Sequence, residues 1–412
     1  MRAGTLPAHL PSQSLPMGLD LPPERRELIE RVRELAQERI APRAAHYDAT
    51  ATFPAEDFAD LARQGLLAPT VPREHGGLGL GPLRGDAFTL WMMTKELAKA
   101  DLSLARCWEG HANSLLLLDA VAAPEQQARW FSGVVARGET WVVWSGEPQA
   151  RAPGEAARFG TTLERVEGGW IVDGSKVFAT SAGGATWAIL LVNTSGPGGA
   201  RHTTSPETLL MLACDLSDPT VEPDGSWWDP VGMRGTVSHL VRFHRTFIPD
   251  ENAIGSPGQY LADGWQAAFA PHYAASFLGA AEAAYEYALE HLAAQGKQGD
   301  PYVQQRVAQM AIHVDTGHLW LRHVARLWDG GLRTEAQLAG SRVRHVVEHL
   351  AEETVHHAIR ACGARSLIRP SPLERILRDL TFYIRHDNDD QVLATIGRAA
   401  LGLPFDASFY KP

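Results

Sequence analysis

The sequence predicts an α+β protein in three parts: an N-terminal α-helical domain, a central β-barrel or sandwich, and a C-terminal four-helix bundle. Two observations support this fold class. Apolar residues recur at helical spacing on both sides of a middle region, but within that region, from Glu139 to Ile254, they alternate with polar residues. The chain also has 412 residues, and a single core rarely exceeds roughly 250–300 residues.

Composition excludes several classes of protein. The net charge is −10, with 45% hydrophobic and 21% charged residues, so we expect a globular protein without nucleic-acid or anionic-membrane partners. Cys107, Cys214 and Cys362 lie far apart in sequence, which fits neither a disulfide framework nor a zinc site. No apolar run is long enough for a membrane span, and no secretory signal is apparent at the N-terminus. We therefore expect a cytoplasmic protein without a metal.

The N-terminal part begins with a loosely ordered Pro- and Ser-rich tail, residues 1–19, followed by a helical domain over residues 20–138. Pro22 and Pro23 precede an acidic residue, as at a helix start. Apolar residues at helical spacing then reach Ile40, and Pro42 is expected to end or bend that helix. Three more helices are predicted over residues 88–99, 107–121 and 124–135.

The central domain, residues 139–256, shows the alternation of strands. Glu167-Gly168-Gly169 between two short apolar–polar segments predicts a hairpin over residues 162–172. The other predicted strands are residues 140–144, 188–192, 209–214 and 240–247. Together they predict a small barrel or sandwich.

The C-terminal domain, residues 257–412, returns to helical spacing. Few helix breakers occur between Gln266 and Gly296. The following helices are predicted over residues 303–328, 335–362, 372–385 and 391–401. Long amphipathic helices joined by short connections are typical of a bundle.

Four motifs lie along this three-part pattern. They are Gly146-Glu147-Pro148, Asp173-Gly174-Ser175-Lys176 with the residues that follow it, Gly232-Met233-Arg234-Gly235-Thr236, and Pro372-Leu373-Glu374-Arg375-Ile376-Leu377-Arg378-Asp379. In their order and spacing these motifs resemble the acyl-CoA dehydrogenase superfamily of flavin enzymes. The resemblance covers nearly the whole chain, although the first motif lacks the family's Gly-Ser-Asp continuation.

The resemblance implies a flavin site between the β domain and the bundle. Ser145 and Glu147 correspond to a family loop beside the flavin ring. Phe178 would cover one face of the ring, and Thr180 would donate a hydrogen bond near its redox nitrogen. Reduced flavin accumulates charge, so donors of this kind tune it. An ordinary hairpin turn with a buried Phe is the alternative interpretation.

The part of the site that would bind the cofactor's nucleotide departs further from the family. Relatives carry a Gly-Gly-x-Gly turn that lies against the flavin nucleotide of a neighbouring subunit, and here Gly363 and Arg365 stand in that segment. Lys297 replaces a phosphate-binding Arg as a point charge. The resemblance thus implies FAD, with FMN possible, and a homotetramer or homodimer.

The candidate base also departs from the dehydrogenase pattern. A dehydrogenase needs a carboxylate beside the flavin to remove the substrate's α-proton. Asp387 falls where the family places a Glu, and its side chain is one methylene shorter. Alternatively, the run that starts at Asp387 caps the N-terminus of the last helix.

The residue before Asp387 fits a second subclass of the same superfamily. His386-Asp387 resembles the pair found in flavin monooxygenases of the same fold, such as the dibenzothiophene monooxygenase group, and His111 resembles a second histidine of that group. Such an enzyme must exclude water, and histidine and hydroxyl donors such as Ser181 suit that task. A lone histidine is, however, more often a hydrogen-bonded residue of a helix than a catalyst.

The sequence therefore leaves three hypotheses. The favoured one is a monooxygenase that uses reduced flavin and dioxygen on a small molecule, with a flavin reductase as partner. The second is an acyl-CoA dehydrogenase with an acyl-thioester substrate, Asp387 as base and an electron-transfer partner. The third is a non-catalytic relative that keeps the fold and binds a small ligand.

Overall fold

The predicted order of helices, strands and helices is confirmed by the structure. The computed structural model describes residues 21–148, 161–193, 209–386 and 389–405. Within those ranges, no helix is both long and apolar enough to cross a membrane.

The N-terminal helices are α1 (Pro23–Leu35), α2 (Ala41–Thr50), α3 (Ala55–Arg63), α4 (Ala87–Ala100), α5 (Leu102–Val121) and α6 (Pro124–Arg137). Pro42 lies in the first turn of α2, and the chain stays helical because a π-helical turn joins α1 to α2. Helix α5 begins where the Asp101 carboxylate accepts hydrogen bonds from the backbone N–H groups of Ser103 and Leu104, at 2.8 and 3.3 Å.

Two four-stranded sheets form the β domain. The strands are β1 (Trp141–Trp144), β2 (Thr162–Val166), β3 (Gly169–Ala179), β4 (Trp187–Asn193), β5 (Leu209–Asp215), β6 (Val221–Asp224), β7 (His239–Pro249) and β8 (Ala253–Ile254). Their orders are β1-β4-β5-β8 and β2-β3-β7-β6. Side chains from both sheets share one core, so the domain is a sandwich.

Strands β6 and β8 were not predicted from the sequence, because neither shows the usual pattern of a strand. Strand β6 is Val-Glu-Pro-Asp, and a proline normally argues against a strand. Here Pro223 pairs with Val241 at the edge of its sheet, where a proline is tolerated. Strand β8 has only two residues, too few to show alternation.

The C-terminal helices are α7 (Gln259–Ala262), α8 (Trp265–Ala294), α9 (Pro301–Asp329), α10 (Arg333–Cys362), α11 (Pro372–Tyr383) and α12 (Asp389–Ala400). Helix α8 is buried over most of its length, because α10 and α9 pack on it within the bundle and α4 and α5 pack on it from the N-terminal domain. One hydrophobic core therefore runs through both helical domains. This packing fixes α5 beside α8 and α11, and those three helices carry much of the site.

Candidate active site

The largest concentration of motif residues surrounds a cavity of about 510 Å³ between the β domain and the end of α11, here called the outer cavity. Its lining residues are Arg106, Val143, Trp144, Ser145, Gly146, Val177, Phe178, Thr180, Trp228, Val231, Met233, Thr236, Ser238, Gln266, Thr381, Phe382, Tyr383, Arg385 and His386. The structure thus brings together four predicted site residues, Ser145, Phe178, Thr180 and His386.

The end of β1 forms one wall of the outer cavity. Gly146 is needed there because a Cβ atom at this position would lie 2.5 Å from the carbonyl oxygen of Val177. The backbone N–H of Val177 donates to the Gly146 carbonyl at 3.1 Å, and the indole N–H of Trp144 donates to the carbonyl of Thr180 at 3.0 Å. These contacts hold Ser145 against β3.

The end of β3 and the loop before β7 form the neighbouring part of the wall, and both have an unusual backbone. Phe178, Ser181, Met233 and Val237 all have positive φ, between 40° and 64°. Non-glycine residues in this region cost free energy, and they concentrate where a ligand is bound. Phe178 is 58% exposed, and its ring meets the edge of Trp227 with centroids 5.0 Å apart. The backbone therefore presents an aromatic face to the cavity instead of burying it.

A row of hydroxyl groups lies beside Phe178. The Ser238 hydroxyl donates to Oγ1 of Thr180 at 3.2 Å, and the Thr236 hydroxyl donates to the carbonyl of Met233 at 2.9 Å. The proton of the Thr180 hydroxyl can then be donated to a molecule in the cavity. An aromatic face beside such a donor suits the flat, acceptor-rich ring of a flavin.

His386 lies in a cluster of charged and aromatic side chains. Its Nε2 is 3.4 Å from NH2 of Arg106, and its ring centroid is 5.1 Å from that of Tyr273. The Arg106 guanidinium lies over the rings of Tyr273 and Tyr383, 5.5 and 5.8 Å from their centroids. Arg106 also donates to Glu109 at 3.0 Å. These contacts hold Arg106 and His386 at the mouth of a second cavity.

Glu109 is the buried anion of this cluster. Its carboxylate accepts from the Tyr383 hydroxyl at 2.6 Å and from the Ser276 hydroxyl at 2.9 Å. Burial raises the pKa of Glu109, and the nearby Arg106 opposes that rise. The pKa of Arg106 is raised, because Tyr383 and Glu109 outweigh the cost of burial. Arg106 therefore keeps its charge beside the cavities.

The second cavity, here called the inner cavity, has a volume of about 260 Å³. It shares Arg106, Val143, Ser145, Gln266 and His386 with the outer cavity. Its other lining residues are Gly110, Asn113, Leu191, Leu209, Tyr260, Leu261, Phe269 and Tyr273. His386 and Ser145 thus stand where the two cavities meet.

Neither cavity has an Asp or Glu among the described residues that line it. The candidate base Asp387 lies outside the described residues. Histidine, arginine, amide and hydroxyl groups supply the polar lining.

The Glu374–Asp379 part of the last motif connects the site to the rest of the fold. Arg378 donates to the Asp48 carboxylate at 2.7 and 3.0 Å, to Glu374 at 2.8 Å, and to the carbonyl of Val231 at 3.0 Å. The Asp379 carboxylate accepts from the backbone N–H of Met233 at 2.6 Å. This part of the motif therefore clamps α11 to α2 and to the Gly232-Met233 loop, which sets the position of Tyr383 and His386.

Three of the residues predicted to lie at the flavin ring or to take part in catalysis do not line either cavity. Glu147 forms an ion pair with Lys176 and accepts from the N–H and hydroxyl of Thr161 at 3.2 and 3.0 Å. Ser181 is buried, and its backbone N–H donates to the carbonyl of Thr236 at 2.8 Å. Glu147 therefore holds the loop after β1 in place rather than facing a ligand.

His111 is the third of these residues. Its Nε2 donates to the carbonyl of Leu67 at 2.7 Å, and its Nδ1 accepts from the backbone N–H of Trp141 at 2.9 Å. Burial lowers its pKa to about 4. Both ring nitrogens are therefore engaged in joining α5 to β1, and the structure gives His111 a positioning role in the fold.

The predicted nucleotide-binding residues lie apart from these cavities, near the end of α10. Gly363 follows α10 with φ of +78°, and Arg365 is exposed. Lys297 is also exposed. Burial raises the pKa of the Cys362 thiol to about 11, and the positive charge of Lys297 opposes part of that rise. Lys297 thus approaches the same turn as Gly363. Their role in binding a cofactor stays a prediction.

Sequence reasoning missed Arg106, Glu109 and Asn113. Arg106, Gly110 and Asn113 are spaced by four and three residues, which places them on one face of α5. That spacing was available in the sequence. A charged or amide residue on an otherwise apolar helix face is the signal that could have found them.

Family models match both helical parts of the chain. The acyl-CoA dehydrogenase N-terminal domain matches residues 22–139, and the acyl-CoA dehydrogenase C-terminal domain matches residues 272–390. The cyclohex-1-ene-1-carbonyl-CoA dehydrogenase of Geobacter metallireducens is 26% identical over 387 residues, covering 92% of this chain and 98% of that protein.

Monooxygenases are similar to the chain as well. The dibenzothiophene monooxygenase of Mycolicibacterium goodii is 25% identical over 375 residues, covering 84% of this chain and 87% of its own. The crystal structure of TdsC from Paenibacillus sp. A11-2 with FMN and indole has a TM-score of 0.82 at 22% identity, covering 93% of this chain and 100% of TdsC. That likeness establishes the fold. With both domain models matched and the motifs clustered at one site, the chain belongs to the acyl-CoA dehydrogenase superfamily.

Proposed function

We propose that this chain is a flavin-dependent oxidoreductase that uses reduced flavin and dioxygen to insert oxygen into a small molecule. The observation that carries the proposal is the position of His386 at the junction of two cavities, beside Arg106 and with Ser145 in the same lining. A dehydrogenase of this family needs a carboxylate base beside the substrate, and the candidate for that base, Asp387, lies outside the described residues. A monooxygenase instead needs hydrogen-bond donors and exclusion of water.

The lining of the outer cavity suits the isoalloxazine ring that FAD and FMN share. Phe178, Trp144 and Trp228 supply aromatic surface, and Ser145 and Thr180 supply hydroxyls. When bound, the flavin supplies the electrons and activates dioxygen. TdsC, which has the same fold, was crystallised with FMN. Which flavin is resident is tested by extracting and identifying the cofactor from purified protein.

The residues of this chain then have separate tasks. His386 holds or gives a proton at Nε2, with its ring oriented by Tyr273 and Arg106. Ser145 and Thr180 donate hydrogen bonds toward the flavin ring. The row of aromatic side chains formed by Phe178, Trp227, Trp228 and Phe382 shields the opening of the outer cavity from water.

Turnover under heavy-isotope dioxygen tests the proposal. Indole, the ligand in the TdsC crystal structure, serves as the first probe, with a separate flavin reductase supplying reduced flavin. Heavy oxygen in the product supports the proposal. Turnover of a substrate with an artificial electron acceptor under strict anaerobiosis would sink it.

A second candidate is an acyl-CoA dehydrogenase with Asp387 as base. It is favoured by one observation: Asp387 directly follows His386, which lines both cavities. Bleaching of oxidised flavin by a panel of acyl-CoA thioesters without oxygen would establish it. A third candidate, a non-catalytic relative, requires that purified protein take up neither FAD nor FMN.

The predicted assembly belongs to the same proposal. Lys297, Gly363 and Arg365 would contact the nucleotide of the flavin held mainly by a neighbouring copy, in a homodimer or homotetramer. Light scattering on the flavin-loaded protein gives the number of copies. A monomer that binds FAD as tightly as FMN would contradict this role for the three residues.

A further inference from the structure

The inner cavity has a polar pattern that the proposed function leaves unexplained. It lies past His386 as seen from the outer cavity, and its wall combines apolar residues such as Leu191, Leu209 and Phe269 with polar ones. Two of the polar side chains, Arg106 and Asn113, carry N–H donors. A molecule that fills it must therefore combine an apolar body with acceptor groups in defined places.

Arg106 provides the first donor for such an acceptor group. A guanidinium has five N–H donors in a rigid plane, and among the described residues Glu109 and His386 are its hydrogen-bond partners. The rings of Tyr273 and Tyr383 hold that plane. Glu109 is itself bound by Tyr383 and Ser276. The remaining donors of Arg106 form a fork fixed in advance for an anion at the wall of the cavity.

Asn113 provides the second donor. It is 5% exposed, and its Oδ1 accepts from Nδ1 of His272 at 2.8 Å, which fixes the direction of the amide. Its Nδ2 is buried and has no hydrogen-bond partner among the described residues. A buried donor without a partner costs free energy, so one is expected to serve a ligand. Burial and Arg106 lower the pKa of His272 to about 3, so the imidazole that orients Asn113 stays neutral.

The spacing of the two donors sets the length of the ligand. Arg106 and Asn113 are seven residues apart on one face of α5, which is a rise of about 10 Å along the helix axis. Gly110 lies between them and also lines the cavity. A Cβ at Gly110 would lie 3.4 Å from NH1 of Arg106, so glycine leaves a flat floor between the two donors.

The volume limits the size of the ligand. An apolar cavity of roughly 150 Å³ binds benzene, and the inner cavity is about 260 Å³. It therefore holds a ring with two small substituents. It is too small to hold coenzyme A.

We infer that the inner cavity is the substrate chamber, and that it takes a compact ring-sized molecule with an anionic group bound by Arg106 and an acceptor group bound by Asn113. This inference rests on the proposed function, because it assigns the outer cavity to flavin. Arene carboxylates and sulfonates with an acceptor opposite the anion are the class that meets these conditions.

Binding, rather than turnover, tests this inference. Calorimetry on the oxidised, flavin-loaded protein compares para-nitrobenzoate with para-nitrobenzamide, which has nearly the same shape without the charge. We expect the carboxylate to bind at least tenfold more tightly. Removing the nitro group, as in benzoate, is expected to weaken binding severalfold in the wild-type protein and to make no difference in Asn113→Ala.

Variants at two arginines locate the anion site. Arg106→Lys keeps a cation beside Glu109 but loses the planar fork, and we expect at least a tenfold loss of para-nitrobenzoate affinity. Arg245 is exposed on β7 and lines neither cavity, and Arg245→Met is expected to change that affinity less than twofold. The ligand comparison in wild-type protein stands even if Arg106→Lys folds poorly.

Two outcomes would overturn the inference. One is equal binding of the carboxylate and the amide, or no binding of either at millimolar concentration. The other is an affinity in Arg106→Lys that is no lower than the affinity in Arg245→Met. The oxygen reaction of the reduced protein needs no substrate, so it reports on the proposed function separately. A positive oxygen reaction without carboxylate binding would leave the proposed function standing and remove this substrate class.

Discussion

Nε2 of His386, on the turn after α11, lies 3.4 Å from NH2 of Arg106, on α5. The two side chains come from opposite ends of the chain, and both line both cavities. The tyrosines on either side keep the guanidinium charged and in place. The imidazole of His386 therefore lies beside a fixed guanidinium at the junction of the two cavities.

His386→Gln tests the role of this imidazole. Glutamine keeps polar contacts with Arg106 but cannot exchange a proton, so we expect the rate of the chemical step to fall by about 10²–10⁴-fold. Flavin affinity is expected to change little. The measurement is single-turnover oxidation of a substrate by reduced, flavin-loaded protein.

The control is His323→Gln, which changes an exposed histidine on α9 that lines neither cavity. It should match the wild-type rate. An unchanged rate in His386→Gln would remove His386 from the chemistry and turn attention to Asp387.

Phe178→Ala tests the outer cavity as the flavin site. Stacking of an aromatic side chain on a flat ring contributes on the order of 1 kcal/mol, so we expect flavin affinity to fall about fivefold to tenfold. Fluorescence titration with FAD and with FMN measures it. Phe247 is 47% exposed on β7 and lines neither cavity, so Phe247→Ala is the matched control. Equal affinities in the two variants would place the flavin elsewhere.

His111→Phe tests a structural role against a catalytic one. The substitution leaves the backbone N–H of Trp141 and the carbonyl of Leu67 buried without their partner, which costs roughly 2–4 kcal/mol of unfolding free energy. We expect lower resistance to urea at neutral pH, with the chemical step retained in the folded fraction. Loss of the chemical step without loss of stability would reverse this assignment.

The same histidine predicts a pH dependence. Its pKa is lowered by burial from 6.5 to about 4 in the folded protein, so the unfolded chain takes up the proton first as pH falls. Stability contributed by neutral His111 is therefore present above pH 6.5 and is lost toward pH 4. By pH 5 the loss is about 2 kcal/mol. Urea unfolding at pH 7 and pH 5 should show a smaller decline in His111→Phe than in wild type, and equal declines would contradict the assignment.

Gly232→Ala tests the clamp on α11. A Cβ at Gly232 would lie 2.2 Å from the carbonyl oxygen of Arg378 and 2.6 Å from the backbone nitrogen of Asp379. Since both are backbone atoms, α11 must shift, at a cost of roughly 1–3 kcal/mol. We expect weaker flavin binding as well, because α11 positions Tyr383 and His386.

Gly397→Ala is the control for this substitution. Gly397 lies in α12 with nothing within 4 Å of the added Cβ, and Gly to Ala in a helix is expected to stabilise by about 0.5–1 kcal/mol. Urea unfolding and flavin titration of both variants complete the comparison. A Gly232→Ala protein as stable as Gly397→Ala would show that the loop and α11 are not tightly packed.

Local patterns explain which parts of the fold could be predicted. The alternation around Glu167-Gly168-Gly169 predicted the β2–β3 hairpin, and helical spacing predicted that a helix begins near Pro372, where α11 starts. Both depend on neighbours in sequence. Strand β6 depends on pairing with β7, and the helical path through Pro42 depends on a π turn. Neither leaves a clear local signal.

The site residues also divide into those with a local sequence signal and those that only tertiary packing brings to a cavity. Phe178 and Thr180 were found because they follow the Asp173-Gly174-Ser175-Lys176 motif, and Ser145 because it directly precedes Gly146-Glu147-Pro148. His386 was found because it follows the Arg378-Asp379 run. Arg106 and Asn113 lie within a buried helix, and only tertiary packing shows that their face meets a cavity. His111 lies on that same helix, but its ring meets Leu67 and Trp141 instead.

The most direct test is rapid mixing of anaerobically reduced, flavin-loaded protein with oxygenated buffer, followed by absorbance. We expect a transient spectrum, different from those of both oxidised and reduced flavin, that decays to oxidised flavin and lasts for a shorter time in His386→Gln. Direct return to oxidised flavin without a transient, together with anaerobic bleaching by an acyl-CoA, would contradict it.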